Sequence, residues 1–178
     1  MQTVAQQDQF LTLLEEHKKI LFKIASSYCP YPADRDDLVQ EMTLQLWRSF
    51  GRYDDRQRFS TWMYRVSLNV AISFYRREAR RSRATVPAGD AILDIAVDET
   101  AVVAINDDLR MLHRFIQQLD ELDRALIILY LDGNRHDTIA EVLGISESNV
   151  GTKISRIKQR LRREWASYSI EEQTHGSR

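Results

Sequence analysis

The chain is poor in residues that punctuate or cross-link a fold. Its 178 residues include one cysteine, three prolines and six glycines. A single cysteine, Cys29, excludes an internal disulfide. No Cys/His cluster has metal-ligand spacing, so neither a metal nor any other cofactor is expected. No run of 18 apolar residues occurs, which excludes a membrane-spanning helix. The opening MQTVAQQDQF has neither the basic nor the apolar region of a signal peptide, and the expectation is a cytoplasmic protein. Glycine loops that cradle phosphate, a nucleophile elbow and an HExxH pair are all missing. The four histidines, His17, His113, His136 and His175, are scattered, and His17 reads as a half-buried packing residue. No pair of carboxylates stands out as general acid and base. An enzyme is therefore not expected.

What remains is helical in pattern. Hydrophobic residues make up 43% of the chain and charged residues 29%, enough for a core. Few breakers and long periodic segments predict an all-α protein. Residues 8–28 read as one helix with Phe10, Leu13, Leu14, Leu21, Ile24, Ala25 and Tyr28 on one face. CPYPAD interrupts it, and Asp34 is the expected N-cap of a second helix whose apolar face is Leu38, Met42 and Leu46, joined by Val39 and Phe50. Asp37, Gln40, Glu41, Gln45 and Arg48 stay outside. GRYDDRQRF is a loop, and Ser60 or Thr61 is the expected cap of a third helix running to about Arg83. Its inner stripe is Met63, Val66, Val70 and Phe74, with Tyr64, Arg65, Asn69, Arg76 and Arg77 outside. Aromatics interleaved with arginines here suit unstacked bases, although core packing explains each ring equally well.

Lysine plus arginine total 25 against 26 acidic residues, a net charge of −1. The near-balance hides segregation. Asp90, Asp94, Asp98, Glu99, Asp107 and Asp108 lie in a stretch without one basic residue, while Arg76, Arg77, Arg80, Arg81 and Arg83 precede it. Residues 85–106 read as an acidic linker, with a short helical piece at Thr100–Ile105. It divides a domain of residues 1–84 from one of residues 107–166, and residues 167–178 form a polar tail expected to fray.

The second domain is predicted to hold four helices with no wing. DLRMLHRFIQQL comes first, then an apolar helix around Ala125–Leu131 stopped by Gly133. Ile139, Ala140 and Leu143 form a short helix broken at Gly144-Ile145. Ser146 caps a longer one striped by Val150, Ile154, Ile157 and Leu161. This is a helix-turn-helix. The face opposite the stripe reads Asn149, Thr152, Lys153, Arg156, Lys158, Arg160 and Arg163, a polar and basic surface suited to the DNA major groove.

The segments DLVQEMTLQLWRSFGRYD, FSTWMYRVSLNVAISFYRRE and LDELDRALIILYLDGNRHDTIAEVLGISESNVGTKISRIKQRLR, in this order around an acidic linker, closely resemble bacterial sigma factors. The two-domain form is similar to the extracytoplasmic-function (ECF) group, and the resemblance runs from residue 10 to 163. It implies binding to core RNA polymerase, through its β′ and β subunits, by Asp37, Gln40, Glu41, Gln45, Trp47 and Arg48. It implies contact with the −10 element and its melted non-template strand by Arg52, Tyr53, Phe59, Ser60, Thr61, Trp62, Arg65, Asn69, Arg76 and Arg77. Reading of the −35 element as duplex falls to Ser148, Asn149, Thr152, Lys153, Arg156 and Arg160. An anti-sigma factor is an implied partner. Many relatives carry a lysine at the position of Gly151, an aromatic near His136 and an acidic residue near Thr138, so the −35 preference does not transfer. Competing readings are a stand-alone DNA-binding regulator with a dimerising N-terminal part, and a recombinase, which the first 84 residues do not support.

Overall fold

The computed structural model describes residues 4–85 and 107–175, with side chains over 4–81 and 108–167. Of the expected linker 85–106, Thr85 is the last residue of a helix, and residues 86–106 with the helical piece Thr100–Ile105 lie outside the described residues. Within them the chain is helical, with no strand: α1 (Val4–His17), α2 (Lys19–Tyr28), α3 (Pro32–Ser49), a 3-10 turn at Phe50–Arg52, α4 (Phe59–Thr85), α5 (Asp107–Gln118), α6 (Glu121–Leu131), α7 (His136–Leu143) and α8 (Glu147–His175). Contacts divide it into two units, Met1–Gln117 and Gln118–Arg178.

In the first unit α3 packs against both α2 and α4. The buried set is Leu21 and Ile24 from α2, Leu38, Met42 and Leu46 from α3, and Met63, Leu68 and Ala71 from α4. The expected first helix is interrupted at Lys18, whose backbone nevertheless stays in the right-handed helical region. α3 begins earlier than Asp34, with Tyr31 as N-cap and Pro32 in the first turn. Proline lacks an N–H that the first turn would leave unbonded anyway, so it starts this helix rather than preventing it. Arg35 fixes the entry, donating from Nε to the Cys29 carbonyl at 2.9 Å and from Nη2 to the Pro30 carbonyl at 2.8 Å.

α4 starts at Phe59, so neither Ser60 nor Thr61 caps it. Both lie within the first turn, and Thr61 is buried. Its inner face is also rotated from the expected stripe. Val66 and Val70 are half-exposed, while Tyr64, Ser67, Leu68 and Ala71 are buried, so Tyr64 is an inward residue. A 27-residue helix meets different neighbours along its length, and no single stripe describes it.

The second unit packs α6, α7 and α8 on one another. α6 buries the continuous run Arg124–Leu129, as its apolar composition requires. The Arg124 guanidinium, only 2% exposed, donates to the Leu119 carbonyl at 2.9 Å. Ile139, Ala140 and Val142 of α7 and Val150, Ile154 and Ile157 of α8 complete this core. Gly144 ends α7 at φ 68°, a left-handed conformation that favours glycine. Ser146 caps α8, its Oγ accepting the Asn149 N–H at 3.2 Å. The tail expected from residue 167 is helical to His175, since nothing from Trp165 to His175 is a glycine or proline.

By contacts nearly all of α5 groups with the first unit. There Gln117 Nε2 donates to the Ser26 carbonyl at 3.4 Å.

Candidate functional site

Each unit presents polar surface that its own core does not use. On α3, burial of Leu38, Met42 and Leu46 turns Asp37, Gln40, Gln45 and Arg48 outward, and all four are exposed. Glu41 is half-buried because it bridges to α4: Arg77 Nη2 and Nη1 reach its two carboxylate oxygens at 2.9 and 3.4 Å. The Arg77 guanidinium also lies 5.0 Å from the Phe74 ring centroid. The hydrogen bond to Glu41 is the main reason the Arg77 pKa is raised. Glu41 and Arg77, which the sequence assigns to different partners, therefore bind each other.

Trp47 is half-buried, with its ring 5.1 Å from that of Phe10 on α1. It closes one end of an apolar groove between α1 and α3, lined by Phe10, Leu11, Leu14, Val39 and Leu44. Leu11 and Leu44 are about half exposed there. The sequence reading did not single out this groove. The signal was available, since Leu44 falls between Met42 and Leu46 and off their buried stripe.

The aromatic segment resolves into packing. Phe50 stacks on Tyr53 with centroids 5.9 Å apart, and Tyr53, Phe59 and Trp62 lie within 5.1–5.5 Å of one another. His17 joins the cluster at 5.3 Å from Phe59, its Nδ1 3.0 Å from the Leu13 carbonyl, as a half-buried packing residue. Phe59, Thr61 and Trp62 are 6%, 7% and 8% exposed. A base stacks on an exposed ring face, and the Phe59 and Trp62 rings are buried. The three residues are core as the chain stands here, not open platforms. Tyr53 is half-buried and its hydroxyl donates to the Gln57 carbonyl at 2.8 Å. Burial raises the Tyr53 pKa, with Asp55 and Asp54 adding to it. Arg52, Asn69 and Arg76 are exposed, and Ser60 and Arg65 are half-exposed.

In the second unit the exposed strip of α8 holds Ser148, Asn149, Thr152, Arg156 and Arg160. Ser155 and Gln159, which the sequence reading did not select, complete the strip at helical spacing. The Thr152 hydroxyl donates back to the Ser148 carbonyl at 3.0 Å, and Arg160 Nε pairs with Glu164 at 2.9 Å. Lys153 does not belong to this strip. Its ammonium lies 2.6 Å from an Asp123 carboxylate oxygen on α6, with both side chains about one-quarter exposed. Gly151 faces α7 rather than open solvent, close to the His136 ring.

No cluster of metal-binding side chains occurs among the described residues, nor a helix long and apolar enough to cross a membrane. Comparison with known proteins yields two family models: Sigma-70 region 2 matches residues 13–81, and Sigma-70, region 4 matches residues 109–161. The chain is 22% identical over 167 residues to the ECF RNA polymerase sigma factor SigW of Bacillus subtilis, covering 89% of each. It is 27% identical to the RNA polymerase sigma factor NccH of Alcaligenes xylosoxydans xylosoxydans, over 88% of each. The ECF RNA polymerase sigma-E factor of Escherichia coli is 25% identical over 87% of this chain and 85% of that protein. Two solved structures have a similar fold. CnrH in complex with the cytosolic domain of CnrY gives a TM-score of 0.65 at 24% identity, over 90% of both chains. The sigma factor RpoE in complex with the anti-sigma factor NepR from Bartonella quintana gives 0.64 at 19%, over 88% of this chain and 94% of that one.

Proposed function

The chain belongs to the sigma-70 family of RNA polymerase sigma factors, in the ECF group, and from that premise we propose how its exposed patches divide the work of promoter recognition. The outer face of α3 binds core RNA polymerase, the β′ subunit first, through Asp37, Gln40, Gln45 and Arg48, with Leu44 and Trp47 supplying apolar contact. The observation that carries this reading is the two-sidedness of α3. Its inner stripe is fully used by the unit's own core, while its outer face joins exposed polar residues to an apolar groove. A polar rim beside an apolar centre is the anatomy of a protein interface.

The −10 element and the non-template strand engage Arg52, Ser60, Arg65, Asn69 and Arg76. Arginines supply phosphate contacts there, and Asn69 can hydrogen-bond a base edge. Phe59, Thr61 and Trp62 act indirectly, by holding the loop 53–58 in place. Glu41 and Arg77 serve first as a bridge between the polymerase-facing helix and the DNA-facing helix. The −35 element is read as duplex by Ser148, Asn149, Thr152, Arg156 and Arg160. The chain acts by binding, with no catalysis of its own, in the cytoplasm. Its control is by an anti-sigma factor that covers the polymerase-facing groove, a reading that draws on the RpoE complex with the anti-sigma factor NepR.

Co-migration of the purified chain with core polymerase tests the first assignment. Asp37→Ala with Gln40→Ala should weaken association at least tenfold while leaving the melting temperature unchanged. These two residues are cleaner probes than Glu41, whose loss also removes the hydrogen-bonded partner of Arg77. Undiminished association of the double variant would remove α3 from the polymerase interface.

A further inference from the structure

Two lysines on α8 are spent inside the second unit. Lys153 follows Val150 by three residues and precedes Ile157 by four, so it flanks the buried stripe rather than opposing it. Its ammonium meets Asp123 Oδ1 at 2.6 Å. Asp123 is itself fixed, in the first turn of α6, where its N–H donates to the capping Asp120 carboxylate at 2.8 Å. Lys158, five residues further along α8, donates to the Tyr130 hydroxyl at 2.5 Å and lies 4.5 Å from that ring's centroid. Tyr130 is in the last turn of α6. The two anchors therefore sit seven residues apart, about 10 Å along α6.

We infer that Lys153 and Lys158 are positioning residues for −35 recognition and not phosphate contacts: together they bolt α8 to both ends of α6 and set its rotation. The inference rests on the proposed reading of α8 as the duplex-reading helix, and it removes Lys153 from the contact set. The buried stripe of Val150, Ile154 and Ile157 sets the inward face of α8, and one polar tie adds a distance while leaving some roll about the helix axis. Two ties at separated points also fix the roll. Roll decides which residues face the groove, because neighbouring positions on a helix point about 100° apart. With α8 held as it is, Asn149, Thr152, Arg156 and Arg160 share the exposed strip. A modest rotation would replace some of them by Lys153 or Gly151. For Lys153 to reach a phosphate, it would have to leave Asp123 three-quarters buried without its partner.

The test uses the chain with core polymerase, and as probe the promoter duplex that this holoenzyme enriches from a randomised pool. Asp123→Asn is nearly isosteric and adds one unit of positive charge near the DNA. Positioning predicts that it weakens duplex binding about three- to fivefold, the range typical of one ion pair. A phosphate role predicts equal or tighter binding, because Lys153 would be released; that result overturns the inference. Lys153→Met should weaken binding to the same extent, with the slope of log K against log salt unchanged, whereas Arg156→Ala should reduce that slope by about one. A slope that falls by one for Lys153→Met also overturns it. The exchanged pair Asp123→Lys with Lys153→Asp should recover affinity to within twofold of wild type. No recovery in a variant with wild-type melting temperature counts against it, and a folding defect would show in that temperature. If the wild-type holoenzyme enriches no sequence, the reading of α8 fails first and this inference goes with it.

Discussion

At the scale of single residues, Gly151 is the plainest departure from good helix design. It lies in the second turn of α8, where glycine is about 1 kcal/mol less favourable than alanine. A β-carbon there would meet only the His136 ring, at 3.9 Å, which is ordinary van der Waals contact. Gly151→Ala should therefore stabilise the protein by about 1 kcal/mol. Thermal unfolding would record a higher midpoint, and a lower one would mean that His136 cannot accommodate a methyl group. Glycine at this position is turned towards α7, so close approach of backbone to DNA does not explain it.

His113 supplies a pH dependence. Burial holds its imidazole below the ordinary value, Arg35 adds to the effect, and a backbone hydrogen bond with Ser26 opposes it. The unfolded chain, with an imidazole near its ordinary pKa of about 6.5, thus takes up a proton before the folded one. Stability from this group is complete above that pH and declines as pH falls through it towards the lower folded value. Urea midpoints should therefore drop between pH 7.5 and pH 5.5, and His113→Gln should flatten that drop. An unchanged slope in the variant would mean that other groups carry the acid sensitivity.

At the scale of elements, α3 separates stability from function most cleanly. Met42 is fully buried, and Met42→Ala should cost about 2–5 kcal/mol of unfolding free energy. Gln40→Ala, on the exposed face, should leave stability within about 0.5 kcal/mol. Chemical denaturation of the two variants distinguishes the faces, and a large loss from Gln40→Ala would contradict the assignment. This helix was also the best read from sequence, because one partner layer gives one stripe: Leu38, Met42 and Leu46 were identified and are buried.

Elsewhere the pattern was mixed. α4 touches α2, α3 and the aromatic cluster at different points, so its expected stripe of Met63, Val66, Val70 and Phe74 was half right. Tyr64 went inward against expectation because aromatic size outweighed its hydroxyl. The sequence places the start of α3 too late because two prolines read as breakers, although Pro32 opens the helix. On α8 the Ser146 cap and three of the four stripe residues, Val150, Ile154 and Ile157, are legible in the sequence, while Leu161 is only half-buried. The partners of Lys153 and Lys158 are not, since they lie 30 and 28 residues away in α6 and sequence spacing is silent about such pairs. The same limit hid the Glu41–Arg77 bridge, whose members are 36 residues apart.

At the scale of the whole molecule, a net charge of −1 coexists with locally basic segments because the signs are sorted along the chain. Basic residues gather at the end of α4 and along α8, and the acidic run lies between them in sequence. Such a chain has no large uniform field to drive indiscriminate association with DNA. Its affinity for a promoter should come from two proposed DNA patches used together, one on each unit, with polymerase holding the ensemble. That expectation follows from avidity, where linked weak contacts exceed each contact alone. It explains why the helix-turn-helix alone is a poor guide to identity, and why residues 13–81 carry as much of the family's signature as residues 109–161.

The most direct test is transcription reconstituted from core polymerase, this chain and a template bearing the enriched promoter. Initiation should depend on the chain, fall at least tenfold with Asp37→Ala and Gln40→Ala, and fall again with Arg156→Ala in a way that rewriting the −35 element alone can modulate. Duplex binding by the chain without polymerase, at full affinity and with no promoter-directed transcript when polymerase is added, would contradict the account.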